Sequence, residues 1–117
     1  MINLFLGSSY TSLQQISPFL ERTASGISSL WARVTALKYK CVVVVGYPET
    51  VDIPSEPALS QVYYNSSIVS NANGETIANY RKSFLYYADE IWAQEGPDGF
   101  FNGEIEGLGQ VAIGMGE

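Results

Sequence analysis

Large apolar residues recur every three or four positions over residues 26–40. This spacing places them on one stripe of a helix, and it predicts a helix across those residues. The members of this apolar stripe are Ile27, Leu30, Trp31, Val34 and Leu37. Lys38 and Lys40 in the last turn suit the negative end of the helix dipole, which supports the predicted end of the helix.

The stretch before this helix carries a weaker helical pattern. Leu13 and Ile16 lie at helical spacing, but Pro18 lacks the backbone N–H that a helix interior needs. We therefore predict a short or broken helix over residues 12–21, unless Ser17 caps a new one.

An apolar run rich in β-branched residues follows the helix at residues 41–47. Both of its alternating faces are apolar, which predicts a strand buried on both sides. Cys41, the one cysteine of the chain, opens this strand and is interpreted as a small buried hydrophobe. A helix followed by a buried strand indicates a layered α/β architecture. Pro48, Pro54 and Pro57 then predict an exposed loop without regular structure.

Two hairpins are predicted in the second half of the chain. Residues 61–70 and 75–80 have strand-like patterns, and the Asn- and Gly-containing segment between them supplies a hairpin turn. A weaker hairpin is predicted over residues 101–105 and 110–113. Between the hairpins lies an aromatic stretch, which could line a substrate pocket but at this density more often fills a core or an interface. It contains Phe84, Tyr86, Tyr87 and Trp92.

The composition limits the classes of protein to which the chain can belong. Of its 117 residues, 46% are hydrophobic and 15% are charged, which is ordinary for one globular domain and argues against disorder. The net charge of −6 and the scattered basic residues argue against nucleic-acid binding through a basic patch. With no histidine and a single cysteine, the sequence excludes internal disulfides, His-based metal sites and every Ser-His or Cys-His catalytic arrangement.

Neither a secretory signal nor a membrane span is predicted. The first residues have no basic region and too short an apolar run for a signal peptide. The longest unbroken apolar run, residues 41–45, is far shorter than the roughly 20 residues that span a bilayer. We therefore expect no membrane partner and a cytoplasmic location, with the nucleus as the alternative.

Three stretches in the middle of the chain carry a family resemblance. They are Tyr64-Asn65-Ser66-Ser67-Ile68-Val69, Asn73-Gly74-Glu75 and Tyr80-Arg81-Lys82. Their order and spacing resemble the signature of the nitrilase superfamily of carbon–nitrogen hydrolases, in which a strand, a glycine turn and a second strand deliver a catalytic lysine.

Flanking stretches extend the resemblance toward the fungal protein N-terminal amidases, over about residues 10–115. They are Tyr10-Thr11-Ser12-Leu13, Pro18-Phe19-Leu20-Glu21, Val45-Gly46-Tyr47-Pro48-Glu49, Lys82-Ser83-Phe84-Leu85-Tyr86-Tyr87 and Trp92-Ala93-Gln94-Glu95-Gly96-Pro97. The resemblance implies an α/β fold, part of a four-layer α-β-β-α sandwich. Residues 1–117 would then form a single partial carbon–nitrogen hydrolase domain.

The resemblance also implies a chemistry that uses no cofactor and no metal. In this family a glutamate base deprotonates a cysteine that attacks an amide carbon, and a lysine stabilises the oxyanion that appears in the transition state. By resemblance Lys82 is that lysine. Glu95 lies where such enzymes often hold a second, supporting glutamate, and an exposed loop acid is an equally weighted interpretation of it.

Two departures from the family pattern bear on activity. The base is expected before the Tyr10 stretch, yet residues 1–9 contain no acidic residue. The nucleophile is expected after residues 111–115, where the sequence has Gly116. Cys41 does not replace it, because it opens a predicted buried strand on the wrong side of the lysine motif. We therefore expect no turnover from this chain alone. An incomplete gene model, an altered splice form or a decaying copy would each account for such a truncated domain.

The leading functional interpretation is a protein N-terminal amidase that releases ammonia from an N-terminal Asn or Gln and so feeds an N-degron pathway. Its substrate would be the N-terminus of a protein or peptide. The rival is a non-catalytic interaction protein that pairs with a full-length relative, and a third alternative is an unrelated α/β binding module with a chance motif. Strand edges that the family buries would be exposed in half a sandwich, which predicts poor solubility or a homo- or hetero-dimer.

Overall fold

The described residues form a five-stranded sheet with one long helix on it and a separate two-stranded hairpin. The structure is a computed structural model that describes residues 3–4, 13–54, 59–83, 85, 93–97 and 101–115. Its strands are β1 (Asn3–Leu4), β2 (Glu21–Arg22), β3 (Val43–Pro54), β4 (Leu59–Ser70), β5 (Thr76–Arg81), β6 (Phe101–Ile105) and β7 (Gly109–Ile113). Its helices are α1 (Leu13–Ile16), which continues into a 3₁₀ turn (Ser17–Phe19), and α2 (Ile27–Tyr39).

The sheet is built around the antiparallel β3–β4 pair. The two strands pair along their whole length, from Val43 opposite Ser70 to Pro54 opposite Leu59. On one side of this pair, β5 runs antiparallel to β4. On the other side, the short strands β1 and β2 both run parallel to β3. This mixed sheet under α2 confirms the layered α/β architecture.

Helix α2 packs its small side chains against the sheet. The face of the helix that is buried consists of Ser29, Ala32, Thr35 and Ala36. Ala32 and Ala36 are fully buried and contact the sheet residues Val43, Val45, Tyr47 and Ile68. Small residues let a helix backbone approach a sheet closely. Close packing therefore places the small side chains of α2 against the sheet and leaves its larger apolar side chains outside.

The apolar stripe of α2 consequently faces away from the sheet. Its members Ile27, Leu30, Val34 and Leu37 are 77%, 60%, 56% and 53% exposed, and Trp31 is 37% exposed. The spacing of the stripe predicts the helix correctly, with bounds that differ by one residue at each end. It does not identify the face that meets the core.

Both ends of α2 are fixed by local hydrogen bonds. At the start, the carboxylate of Glu21 accepts hydrogen bonds from the backbone N–H of Ser28 at 2.8 Å and from its hydroxyl at 2.6 Å. A carboxylate is favourable there, because the first N–H groups of a helix lack partners and the dipole is positive. At the end, Lys40 adopts a left-handed conformation with φ 53°, and its N–H donates to the carbonyl of Ala36.

The loop predicted after residue 47 is wrong as far as Pro54, and the rest of that loop lies outside the described residues. Strand β3 continues through Pro48 as far as Pro54, opposite the whole first half of β4. Proline is tolerated in a strand where the ladder does not need its N–H. Pro48 meets this condition between the two stretches of β3 that pair with β1 and with β2.

The interpretation of Cys41 needs a smaller correction. Cys41 precedes β3 instead of opening it, and its side chain is half-buried against the core cluster. The strand is also not equally buried on its two sides, since Val43 and Val45 are fully buried whereas Val44 is only half-buried.

The two predicted hairpins and the broken first helix are confirmed. In the β4–β5 turn, the side-chain oxygen of Asn71 accepts hydrogen bonds from the N–H groups of Asn73 and Glu75, each at 3.0 Å. Gly74 supplies the positive φ of 76° that this turn needs. The predicted aromatic stretch lies almost wholly outside the described residues. Among those residues, no helix combines the length and the apolar character needed to cross a membrane.

The orientation of α2 can be tested by overpacking its two faces. Ala36→Leu forces a large side chain between helix and sheet and is expected to lower the free energy of unfolding by about 1–3 kcal/mol. Val34→Leu enlarges a side chain on the exposed stripe and should change stability by less than about 0.5 kcal/mol. Urea unfolding followed by circular dichroism measures both, and equal losses would contradict this orientation.

Candidate active site

The side chains of two neighbouring residues at the end of β5 lie on opposite faces of the sheet. Successive side chains of a strand alternate between faces, so Arg81 and Lys82 lie on opposite sides. Arg81 shares the helix face, the side covered by α2, with Glu49. Lys82 lies on the other side, which is called the lysine face here and which includes Tyr80 and its β4 partner Ser67.

Hydrogen bonds to its backbone N–H and to its carbonyl hold Lys82 in place between two neighbouring segments. Its N–H donates to the carbonyl of Asn65 at 2.8 Å, which extends the β4–β5 ladder by one residue. Its carbonyl accepts a hydrogen bond from the N–H of Gly96 at 2.9 Å. The residue is only 2% exposed, an unusual state for a lysine.

The segment at residues 93–96 returns to the sheet beside Lys82. The N–H of Gln94 donates to the carbonyl of Tyr63 at 2.7 Å, so this segment lies against β4 just beyond the end of β5. A Cβ atom on Gly96 would lie 2.5 Å from the backbone oxygen and 2.6 Å from the Cβ of Arg81. Only glycine fits this close approach.

Glu95 therefore has its backbone next to that of Lys82, while its side chain is exposed. The two predicted site residues therefore lie on neighbouring backbone segments at one edge of the sheet. On the same lysine face, the hydroxyl of Tyr80 is buried and has no hydrogen-bond partner among the described residues. Buried polar groups normally have hydrogen-bond partners, so this hydroxyl is available to form a hydrogen bond with another polar group.

On the helix face, the carboxylate of Glu49 is the centre of a buried hydrogen-bond network. Glu49 is fully buried, and the Arg81 guanidinium donates to both of its oxygens, from Nε to Oε1 at 3.0 Å and from Nη2 to Oε2 at 2.8 Å. Oε1 also accepts from Ser66 Oγ at 2.7 Å and Asn79 Nδ2 at 3.2 Å. Thr23 Oγ1 donates to Oε2. Five donor atoms satisfy a charge that would otherwise be costly to bury.

Aromatic side chains extend this network. The guanidinium of Arg81 lies 4.4 Å from the centre of the Tyr64 ring, a cation–π distance. The hydroxyl of Tyr47 donates to Asn79 Oδ1 and accepts a hydrogen bond from the N–H of Ala24 at 3.3 Å. The network thus joins β3, β4 and β5 to the loop that leads into α2.

The electrostatics of the network follow from its hydrogen bonds. Burial alone would raise the pKa of Glu49, but the hydrogen bonds from Arg81, Thr23, Ser66 and Asn79 outweigh it and hold that pKa below the usual value. The same hydrogen bonds with Glu49 raise the pKa of Arg81. Burial, together with the neighbouring carboxylate, raises the pKa of Tyr47 well above that of a free tyrosine. The pair is therefore ionised at neutral pH.

The sequence contains one signal for this buried network. Glu49 lies an even number of residues from the buried Val43, Val45 and Tyr47. Because side chains alternate along a strand, its side chain is on the core side of β3. A carboxylate at such a position requires a buried donor, and Arg81 is a basic residue directly after the strand predicted over residues 75–80. The loop predicted over residues 48–57 hides this signal, because it leaves Glu49 outside the strand.

Comparison with known proteins gives a consistent family assignment. No family model matches the chain. A protein N-terminal amidase of Saccharomyces cerevisiae is 37% identical over 95 residues, which are 80% of this chain and 19% of that protein. A crystal structure of an N-terminal amidase with an Asn-Glu-Ala peptide superposes with a TM-score of 0.68 at 29% identity, over 92% of this chain and 26% of that one.

A more distant likeness supports the fold alone. A mutant amidase of Nesterenkonia AN1 from the nitrilase superfamily superposes with a TM-score of 0.53 at 17% identity, over 86% of this chain and 36% of that one. The sequence relative and the crystal structure of an N-terminal amidase show that the chain belongs to the family of the protein N-terminal amidases. The chain spans only part of these relatives, namely 19% of the S. cerevisiae protein, 37% of a protein N-terminal amidase of Schizosaccharomyces pombe and 26% of the chain in the crystal structure.

The buried ion pair predicts a pH-dependent contribution to stability. The pKa of Glu49 is lower in the folded chain than in the unfolded chain, so its stabilising effect is present above the unfolded value of about 4.3. The effect is lost as the pH falls through the lower folded pKa. Glu49→Gln, which leaves Arg81 unpaired, should lower the free energy of unfolding by about 3 kcal/mol at pH 7, and by less below about pH 4.

Chemical denaturation of both proteins from pH 7 down to about pH 3 measures this difference. Glu104→Gln is the matched control, because Glu104 is exposed on β6 and its substitution should have a small effect at every pH. A Glu49→Gln loss that stays constant across the pH range would contradict the ionised pair.

Proposed function

We propose that this chain supplies the oxyanion-stabilising lysine of a protein N-terminal amidase, and that Lys82 is this residue. The observation that carries the proposal is the placement of Lys82. It is a buried lysine at the end of a strand, and its backbone is hydrogen-bonded to Asn65 and to Gly96. A fixed ammonium suits a group that must stabilise charge without rearranging during the reaction.

The reaction is the release of ammonia from the side-chain amide of an N-terminal Asn or Gln. The cysteine thiolate attacks the amide carbon, and the carbonyl electrons move to oxygen, where the Lys82 ammonium offsets the new charge. Collapse of this intermediate expels the nitrogen, protonated by the conjugate acid of the glutamate base, as ammonia. Water then hydrolyses the thioester to the acid. No residue among the 117 is assigned as base or nucleophile, so these residues alone are expected to show no turnover.

Glu95 is proposed to support Lys82. The hydrogen bond from Gly96 to the Lys82 carbonyl keeps the backbone of residue 95 beside the lysine, and the Glu95 side chain is exposed to solvent there. In this proposal the 117 residues form one partial carbon–nitrogen hydrolase domain. The N-terminus of a protein or peptide is the proposed substrate, in keeping with the N-terminal amidase structure that holds an Asn-Glu-Ala peptide.

The physiological context goes with that activity. Deamidation of an N-terminal Asn or Gln would feed an N-degron pathway, in the cytoplasm or the nucleus. These assignments follow from the proposed substrate and depend on it.

A second function, non-catalytic pairing with an intact relative, is favoured by one observation. The stripe of α2 exposes large apolar side chains, which is typical of an interaction surface. Recovery of an intact amidase with the tagged chain, together with no effect of Lys82 substitution in any assay, would favour pairing over catalysis.

The catalytic proposal can be tested in a chimera. This chain replaces the matched part of the S. cerevisiae protein N-terminal amidase, and the remainder of that protein is kept. We expect ammonia release from peptides that begin with Asn or Gln. Lys82→Ala should lower kcat by about 10²–10³, as expected when one oxyanion-stabilising group is lost.

Two controls accompany this test. Lys38→Ala removes an exposed lysine from α2 and should leave kcat unchanged. Lys82→Arg keeps the charge but changes its geometry, so it should recover only part of the activity. A chimera that unfolds cooperatively yet releases no ammonia, or one that keeps full activity with Lys82→Ala, would refute the proposal.

A further inference from the structure

Gly96 ties the return segment, defined here as residues 93–96, to the end of β5. Its N–H donates to the carbonyl of Lys82 at 2.9 Å, and the N–H of Lys82 donates to the carbonyl of Asn65 in β4 at 2.8 Å. Strand β5 ends one residue earlier, at Arg81, so the Lys82 carbonyl lies beyond the end of the strand. Gly96 therefore supplies this carbonyl with its hydrogen bond at a place where β5 no longer continues.

The contact at Gly96 leaves no room for a side chain. A Cβ atom there would lie 2.5 Å from the carbonyl oxygen of Arg81, 2.6 Å from its Cβ and 2.9 Å from its carbonyl carbon. Carbon atoms that are not bonded to each other pack at about 3.5–4.0 Å. Two of the three crowded atoms belong to the backbone, which cannot rotate aside as a flexible side chain can. A larger residue at position 96 must therefore displace either Arg81 or the return segment.

Arg81 is the better fixed of these two neighbours. Its guanidinium donates to both oxygens of Glu49, at 3.0 and 2.8 Å, and Glu49 is fully buried. Moving Arg81 would take donors away from a buried carboxylate, which is costly. The return segment has exposed side chains at positions 94 and 95 and no such buried charge. A side chain at position 96 therefore shifts the return segment and weakens its hydrogen bond to Lys82.

We infer that Gly96 is a positioning residue for Lys82, and that it acts through the hydrogen bond to the Lys82 carbonyl. The inference rests on the proposed function, in which the Lys82 ammonium offsets the charge of the oxyanion. A lysine side chain is a flexible four-carbon stem, so its ammonium can be placed accurately only if the backbone that carries it is fixed. Gly96 and Asn65 fix that backbone from its two polar groups.

The expected effect is on the chemical step and not on substrate binding. Negative charge on the oxygen appears only in the transition state, so a misplaced ammonium lowers kcat and changes KM little. A displacement of about 1 Å can cost on the order of a hundredfold in rate. In the chimera with the S. cerevisiae amidase, Gly96→Ala should lower kcat at least about tenfold and change KM less than about twofold.

A double-mutant cycle with Lys82 separates positioning from a general structural effect. Residues that act as a unit give effects that do not add. If Gly96 acts through Lys82, Gly96→Ala should change kcat by less than about twofold in a chimera that already carries Lys82→Ala. A purely structural role would instead lower kcat by the same factor in both backgrounds.

The matched control is Gly26→Ala. A Cβ atom on Gly26 would also be crowded, at 2.8 Å from the Cβ and the Cγ of Glu21. Gly26 precedes the first residue of α2, on the helix face of the sheet, and does not adjoin Lys82. Gly26→Ala should lower the melting temperature of the chimera and leave kcat unchanged at temperatures where the protein is folded. It thus measures what crowding alone does.

Hydrogen exchange of the full chain tests the structural step without activity. In Gly96→Ala the amide N–H of residue 96 should exchange at least about tenfold faster than in the wild type, while Ile68 in the middle of β4 keeps its rate. If Gly96→Ala does not fold, Gln94→Pro removes the hydrogen bond from the return segment to Tyr63, because proline has no N–H. The same loss of protection and the same kinetic pattern are expected of it.

The failures of the two proposals are distinguishable. An inactive wild-type chimera, or one in which Lys82→Ala leaves kcat unchanged, refutes the proposed function, and Gly96 then has nothing to position. Where Lys82→Ala lowers kcat, three results overturn the role of Gly96 alone. They are full activity of Gly96→Ala, an equal loss of kcat in both backgrounds of the cycle, and an amide at residue 96 that stays protected.

Discussion

The ion pair between Glu49 and Arg81 is the contact on which the end of the sheet depends. It joins β3 to β5 across the intervening β4, and the same carboxylate binds Ser66 of β4 and Thr23 in the loop before α2. A fully buried carboxylate is tolerated only when its partners are in place. Because strand side chains alternate, fixing Arg81 on the helix face fixes Lys82 on the opposite face. The position of the proposed catalytic lysine therefore depends on a network that lies on the opposite face of the sheet.

A second constraint comes from the close packing of α2. The helix approaches the sheet through Ala32 and Ala36, and this leaves its large apolar side chains outside. Gly96 imposes a comparable constraint at the sheet edge, where only a residue without a Cβ can lie against Arg81. Small residues thus determine how the elements meet, while larger residues determine what the outer surfaces can bind.

Much of this fold could be predicted from the sequence, because its strongest patterns are local. The spacing of apolar residues in α2, the β-branched run of β3 and the Asn71 to Gly74 turn each define an element from neighbouring residues alone. The continuation of β3 beyond Tyr47 could not be predicted in this way, since the pairing with β4 overrides the local effect of Pro48. The same holds for the face of α2 that meets the core. The motif around Lys82 is recognisable in the sequence. The core-facing position of Glu49 is hidden by the predicted loop, and only tertiary contacts reveal which residues pair with it.

The central claim is that the Glu49 network holds Lys82 in its buried position. It is tested most directly by the rate at which an amine-reactive acylating reagent labels Lys82, measured by mass spectrometry relative to the exposed Lys38. In the wild-type chain Lys82 should react at least about tenfold more slowly than Lys38, because its labelling requires local opening. In Glu49→Gln, under conditions where circular dichroism shows the chain still folded, the two rates should converge. Equal protection of Lys82 in both proteins would contradict the account.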